Sequence, residues 1–165
     1  MTELWDVYDE NRVKTGRLHR RGEELGAGEW HLIVVVWIRR GDGRYLISRR
    51  AADKEPYPLY WENTGGAALA GDSSLDAALR EAKEELGIDL DPAKGRLMYE
   101  HKRDKSRAFR DVWLFRQDID IANVVFQQGE TCDAKWASAD EILSMIADGT
   151  FVPAADYAEQ LFKEA

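Results

Sequence analysis

The clearest periodic signal in the chain runs from Ser73 to Leu86, where Leu75, Ala78, Leu79, Ala82 and Leu86 form a 3.6-residue apolar stripe. Ser73 suits the N-cap, Asp76 stands three residues on as its capping-box partner, and Gly87 is placed to stop the helix. Strand signals flank it. Leu4 to Tyr8 reads as a short strand, followed by the turn residues Asp9-Glu10-Asn11, whereas the charged, glycine-bearing stretch Thr15 to Glu29 predicts an irregular connection. The β-branched run Leu32–Arg39, the turn Gly41-Asp42-Gly43 and the segment Arg44–Arg49 predict a hairpin. Pro56 and Pro58 predict an extended loop. Further on, Phe109–Arg116 reads as a strand, with a weaker one around Leu97–Glu100. Ser138, Glu141 and Gly149 bracket a second helix, and Pro153 is expected to open a last one ending near Lys163. Strands interleaved with a few helices predict an α/β/α sandwich with a mixed β-sheet, and the absence of repeats or linkers predicts a single domain over residues 1–165.

Composition narrows the function classes. The 23 Lys and Arg against 31 Asp and Glu give a net charge of −8, which argues against a nucleic-acid polymer or an anionic membrane as partner. One cysteine, Cys132, excludes a disulfide framework and has no His partner motif, so no catalytic role is assigned to it. The longest apolar run, Leu32–Ile38, is too short to span a bilayer, and no leader is evident, so a cytoplasmic location is expected. The acid excess is uneven: residues 51–100 carry 5 basic and 11 acidic side chains, while residues 1–50 carry 10 and 8.

Part of that excess sits opposite the apolar stripe, as Arg80, Glu81, Glu84 and Glu85. Carboxylates at i, i+3 and i+4 crowd one helical turn and repel, by a few tenths of a kcal/mol per pair. A hard divalent cation reverses that sign, because Mg²⁺ or Mn²⁺ prefers oxygen ligands. On spacing alone, a solvated Asp76–Arg80–Glu84 ladder on an exposed face is the more economical reading.

The wider context overturns it. Gly66-Ala-Ala-Leu-Ala-Gly-Asp72, continuing through Arg80-Glu81-Ala82-Lys83-Glu84-Glu85-Leu86-Gly87-Ile88, resembles the Nudix box, G-x5-E-x7-R-E-U-x-E-E-x-G-U. Asp72 stands where the family has Glu, an acid short of one methylene that can still reach Arg80, and Ala82 replaces a bulkier aliphatic. The resemblance implies a loop–helix–loop that binds Mg²⁺ or Mn²⁺ and hydrolyses a diphosphate linkage. It implies metal ligands at Glu81, Glu84, Glu85 and the carbonyl of Gly66, with Arg80 in the catalytic set and one of the glutamates acting as base. Family members often carry a further acidic base or ligand on a later loop, for which Glu130 is the candidate here, a plain turn acid being the alternative. Small-molecule diphosphates are the implied partners, nucleoside diphosphate derivatives foremost, and homodimers are common in the family.

Beyond the box, over roughly residues 4–145, the chain looks closest to the isopentenyl-diphosphate-isomerase-like branch. The shared features are Asp6-Val-Tyr-Asp9-Glu10, Trp30-His31, Arg49-Arg50-Ala-Ala-Asp-Lys54, Pro58 and Trp61. In true isomerases the residues matching Arg50 and Lys54 grip the substrate diphosphate, a role that suits a guanidinium and an ammonium. The isomerase chemistry is missing. Gly65 stands where the catalytic Cys belongs and Ala67 where a metal-binding His belongs, while the later glutamate pair falls on Phe109 and Asp111. His31 alone keeps a ligand position, which by itself suits a structural role. The site therefore favours hydrolysis, with an isomerase-like activity on an isoprenoid diphosphate and a non-catalytic nucleotide-binding module as the alternatives. Trp30, Tyr57, Tyr60, Trp61 and Trp113 are expected mostly in the core, Trp136 in packing, and His101 in solvent.

Overall fold

In the computed structural model, which describes residues 2–165, the strand β3 (His31–Arg39) is the axis of the molecule. Its side chains alternate between two cores, as the two-residue period of a strand requires. Leu32, Val34, Val36 and Ile38 face one helix, α1 (Ser74–Leu86), through Ala77, Ala78, Ala82 and Leu86. Val35 and Trp37 face the other side, where α2 (Ala139–Asp148) and α3 (Ala158–Glu164) supply Ile142, Ala158 and Leu161. The result is the expected α/β/α sandwich. Each fully buried large side chain, Trp37 and Ile142 among them, contributes on the order of 1.5–3 kcal/mol of burial.

The main sheet is mixed. Its path runs β5 (Trp61–Glu62), β4 (Tyr45–Arg50), β3, β8 (Ala108–Arg116) and β7 (Gly95–Arg103), with β6 (Thr64–Ala67) paired to β3 and β9 (Thr131–Ala137) paired to β4. Among the strand pairs of the described residues the β3–β8 pair alone is parallel, from His31↔Ala108 to Arg39↔Arg116, with a single parallel bridge from Trp61 to Phe151 besides. The predicted β3–β4 hairpin is a hairpin in connection but hardly in pairing. Its register holds one pair, Arg39↔Tyr45, after which the strands diverge. β3 then takes β6 as its neighbour, while β4 takes β9 and β5. The divergence opens the sheet where the functional residues gather.

Several elements depart from the pattern expected of the sequence. The stretch expected to be irregular contains β2 (Lys14–Arg20), which pairs antiparallel with β1 (Leu4–Tyr8). Five of its first residues are exposed, so no alternation announces it. The loop with Pro56 and Pro58 is folded back rather than extended, with Tyr57 and Leu59 at φ 64° and 62°. The last helix starts at Ala158, not Pro153. The intervening residues are already committed: Val152 N–H bonds Trp61 at 2.9 Å, and Arg110 takes the Ala154 carbonyl at 2.7 Å. By contrast, α1 and α2 have the expected capping boxes at Ser73–Asp76 and Ser138–Glu141 and left-handed stops at Gly87 and Gly149. No described helix is long and apolar enough to cross a membrane.

The β1–β2 hairpin is fastened to the α1 side of the sheet by charge. Arg12, at φ 64° in its turn, donates to both carboxylate oxygens of Asp111 on β8 at 2.7 and 2.6 Å. Asp111 is fully buried, and Glu100 flanks the pair at 3.4 Å. A buried carboxylate stripped of its partner is costly, whereas removal of both charges is far less so. Arg12→Ala is therefore expected to lower unfolding stability by about 3–5 kcal/mol. In urea melts Arg12→Met with Asp111→Leu should recover much of that loss. Full additivity of the two changes would contradict the pairing.

The same hairpin covers His31, whose ring stacks on Trp5 at 4.5 Å with 14° between planes and whose Nδ1 is buried without a partner. Burial, with His19 nearby, holds its pKa down at about 4, below the ordinary 6.5. The unfolded chain binds a proton there at pH values where the folded chain does not. Stability from the neutral ring is thus complete above about pH 6.5 and declines toward pH 4. His31→Phe, which keeps the stack, is expected to flatten the fall of the denaturation midpoint between pH 7 and pH 5. An unchanged slope would remove His31 as its source.

Candidate active site

Three chain segments meet at the edge of β6. The helix α1 brings Glu81, Glu84 and Glu85; β6 brings Gly65, Gly66 and Ala67; and the loops around Lys54 and Glu130 close the opposite side. Together they line a cavity of about 410 Å³, with Gln127 and, from the N-terminal hairpin, Glu3 and Arg21 at its margin. The sequence-predicted Glu81, Glu84, Glu85, Gly66, Glu130 and Lys54 are thus brought to one place.

Arg80 organises the carboxylates from behind. Its Nη1 donates to Glu81 at 2.9 Å and Glu84 at 3.1 Å, its Nη2 to the Ala67 carbonyl at 2.9 Å and Asp72 at 3.2 Å, and its Nε to Asp72 at 3.2 Å. The shorter acid at 72 does reach, and it also accepts from Leu69 N–H at 3.0 Å. Arg80 itself does not line the cavity, its donors all being turned to Asp72, the Ala67 carbonyl, Glu81 and Glu84. Asp76, the other acid of the solvated-ladder reading, is engaged with Ser73 instead.

Glu85 departs from the sequence reading. It points inward and is 8 % exposed, with the Thr64 hydroxyl donating to it. Burial pushes its pKa up to about 7, against the opposing hydrogen bond of Thr64. Glu81 is also raised by burial, an effect that Arg80 counters. Such groups become strong ligands once a cation is close, because its charge favours their ionised form.

Gly66 has a steric reason to be glycine. A Cβ built on it would lie 2.4 Å from Glu81 Oε1, so the carboxylate occupies the space a side chain would need. Carboxylates and a backbone carbonyl are hard oxygen donors, the set that Mg²⁺ and Mn²⁺ take. Among the described residues no three acidic, His or Cys side chains are already drawn around one point. Glu81 and Glu84 lie on Arg80, Glu85 on Thr64, and Glu130 forms an ion pair with Lys54. The donors fit a hard divalent ion in kind and in the cavity they share, and binding would exchange these internal partners for it.

Arg50 and Lys54, expected to act together, are separated. Lys54 faces the carboxylate cavity, whereas Arg50 lines a second cavity of about 630 Å³ across β6. There its Nη1 bonds Glu62 at 2.8 Å, both side chains being largely buried. Burial raises the Glu62 pKa even beside that guanidinium. Arg50 is thus paired with a buried carboxylate on the far side of β6 from Lys54.

The isomerase positions tell against that chemistry. A Cβ at Gly65 would sit 2.3 Å from the Val34 carbonyl oxygen, leaving no room for the cysteine an isomerase requires. Asp111 is sealed beneath Arg12, and His31 is stacked on Trp5. Of the aromatics, Trp30 is buried and Trp113 and Trp61 pack against the cores, while Tyr57 is 41 % exposed and lines the second cavity. His101 is not a solvated bystander: Arg110 Nη2 lies 2.9 Å from its Nδ1, and its ring stacks on Tyr99. Glu3, Arg21, Thr64 and Gln127 went unrecognised in the sequence. Glu3 and Arg21 become visible only in the β1–β2 register, where Arg21 N–H bonds the Glu3 carbonyl at 3.0 Å.

The chain has relatives among known proteins. The NUDIX domain family model matches residues 29–157. An uncharacterised Nudix hydrolase of Listeria monocytogenes is 38% identical over 152 residues, covering 92% of this chain and 89% of that one. Isopentenyl-diphosphate Delta-isomerase of Escherichia coli is 32% identical over 92 residues, 55% of this chain and 50% of that one. Among solved structures, a Deinococcus radiodurans protein superposes with a TM-score of 0.78 at 23% identity, over 96% of this chain and 98% of that one. The Nudix domain of Shewanella oneidensis NrtR, solved with ADP-ribose, gives a TM-score of 0.55 at 14% identity, over 70% and 77%. The box carboxylates around Gly66, the sandwich that carries them and these likenesses lead to one conclusion: the chain belongs to the Nudix family, as an enzyme of the pyrophosphohydrolase type.

Proposed function

We propose that the chain hydrolyses the diphosphate linkage of a small nucleoside diphosphate derivative with Mg²⁺ or Mn²⁺. The observation that carries this reading is the convergence of Glu81, Glu84, Glu85, Glu130 and the Gly66 backbone on one cavity that also holds Lys54. The ligand of the Shewanella oneidensis domain, ADP-ribose, is a molecule of this class. Glu81, Glu84, Glu85 and the Gly66 carbonyl would hold the ion. When bound, such an ion neutralises phosphate oxygens and lowers the pKa of a coordinated water.

The residues themselves account for the rest. Arg80 keeps Glu81 and Glu84 on the cavity side of the helix while tying them to Asp72 and to β6. Lys54 carries the charge that a diphosphate oxygen seeks. When it turns from Glu130 to the substrate, the Glu130 carboxylate is released to accept a proton from the attacking water. Thr64 fixes Glu85 at the buried end, away from bulk solvent.

An isomerase reading lacks its cysteine and the space for one at Gly65. A purely ligand-binding role gives no account of so many carboxylates in one cavity.

With Mg²⁺ and a panel of nucleoside diphosphate derivatives including ADP-ribose, Glu84→Gln is expected to release phosphate-containing products at least about a hundredfold more slowly than the native chain. Equal rates would sink the hydrolase assignment of this site. Removal of the metal with a chelator should abolish turnover, and adding Mn²⁺ should raise the melting temperature of the native chain more than that of Glu81→Gln. Lys54 and Arg50 should separate: Lys54→Met is expected to raise KM with little change in melting temperature. Arg50→Met should lower the melting temperature by leaving Glu62 buried and unpaired.

A further inference from the structure

The second cavity meets the carboxylate cavity along Gly65, Gly66 and Ala67, which line both. Its floor is apolar, from Ile33 and Val35 of β3, and its roof is the segment Val152–Ala155. That roof is a built feature. Arg110, buried in β8, donates to the Ala154 carbonyl at 2.7 Å and to Asp156 at 3.0 Å, and lies over the Tyr157 ring at 4.5 Å. A planar, weakly polar group would find a fitting slot between floor and roof, with Tyr57 beside it.

The far end of the slot is different in charge. Arg103, which ends β7, and Lys105, in the turn to β8, both line it. Among the described residues Lys105 has no hydrogen-bond or ion-pair partner, and Arg103 has only Asp156, at 3.8 Å. Asp156 is itself shared with Arg110 at 3.0 Å. Asp156 is thus shared by two guanidiniums, while Lys105 is left without an ion-pair partner among the described residues. Register places this end at a definite remove from the carboxylates. Ala67 of β6 lies beside Ile33, Ile33 beside Arg110, and Arg110 opposite His101 of β7. Three strand spacings make about 15 Å, and Arg103 lies two residues further along β7.

From this geometry we propose that the substrate carries an additional phosphate on its non-reacting half, bound by Arg103 and Lys105. The preferred substrate class is therefore a nucleoside diphosphate derivative phosphorylated on its sugar. The inference rests on the hydrolase reading above for the location of the diphosphate. An isoprenoid tail fits the floor but would strip water from Arg103 and Lys105 without replacing it. A phosphate dianion answers both cations at once.

The test is equilibrium binding by titration calorimetry in Mg²⁺, using nucleotides whose phosphates are not joined to one another and so offer no diphosphate linkage to cleave. The probes are AMP, adenosine 2′,5′-bisphosphate and adenosine 3′,5′-bisphosphate. The native chain is expected to bind at least one bisphosphate about tenfold or more tightly than AMP, the scale of one charge-assisted contact. Arg103→Gln with Lys105→Gln should erase that ratio. Lys94→Gln, which removes a charge from the basic cleft near Arg39 and Arg116, should leave it intact. Equal affinities in the native chain, no binding of any probe, or a ratio that survives the double variant overturns the inference. So does a ratio that falls equally with Lys94→Gln. Failure of the hydrolase reading shows separately, as absent turnover of every diphosphate in the panel.

Discussion

The guanidinium of Arg80 ties together three pieces of chain at the cavity wall, in addition to the apolar packing of α1 and the Thr64–Glu85 contact. Through Asp72 it holds the loop before α1, through the Ala67 carbonyl it holds β6, and through Glu81 and Glu84 it holds the helix face itself. Those two carboxylates lie one turn apart and would otherwise repel. A planar group with donors in several directions can meet all of these acceptors at once, which an ammonium could not. The cost of assembling acids beside a strand edge is thus offset by one internal cation. The close approach of Gly66 to Glu81, the inward turn of Glu85 and the shape of the cavity all presuppose that arrangement.

The divergence of β3 and β4 is the second constraint. Were the two strands paired along their length, the sheet would be continuous and β6 would have no place beside β3. Because they separate after Arg39↔Tyr45, Lys54 and Arg50 follow a strand that leaves the carboxylates, and the two side chains end in different cavities. Four residues of sequence separation thus divide a residue facing the carboxylate cavity from one that pairs with Glu62.

What was legible in the sequence was what depends on local chemistry. The caps at Ser73 and Ser138, the stops at Gly87 and Gly149, and the carboxylate spacing on α1 are set within a few residues and could be read directly. Asp72 reaching Arg80 followed from the box resemblance. What stayed hidden depends on partners far along the chain. β2 is exposed over most of its length and exists by pairing with β1, so alternation never marked it. The start of α3 is set by Arg110, more than forty residues away, taking the Ala154 carbonyl. In the sequence Glu85 stands opposite the apolar stripe, with nothing in the helical pattern to announce its burial. Its burial arises from Thr64 and the edge of β6, which lie outside any helical pattern.

Gly65 carries a wider consequence. With its hypothetical Cβ 2.3 Å from the Val34 carbonyl, the obstacle at this position is the main chain of β3 rather than a replaceable side chain. The isomerase and hydrolase chemistries that share this scaffold are therefore not separated by a single codon here. A thiol becomes sterically admissible at this position only once β6 and β3 shift against each other. That shift would also have to keep Glu81 in the space beside Gly66. Divergence of this kind is protected by backbone geometry, and it is harder to reverse than a change of reactive group.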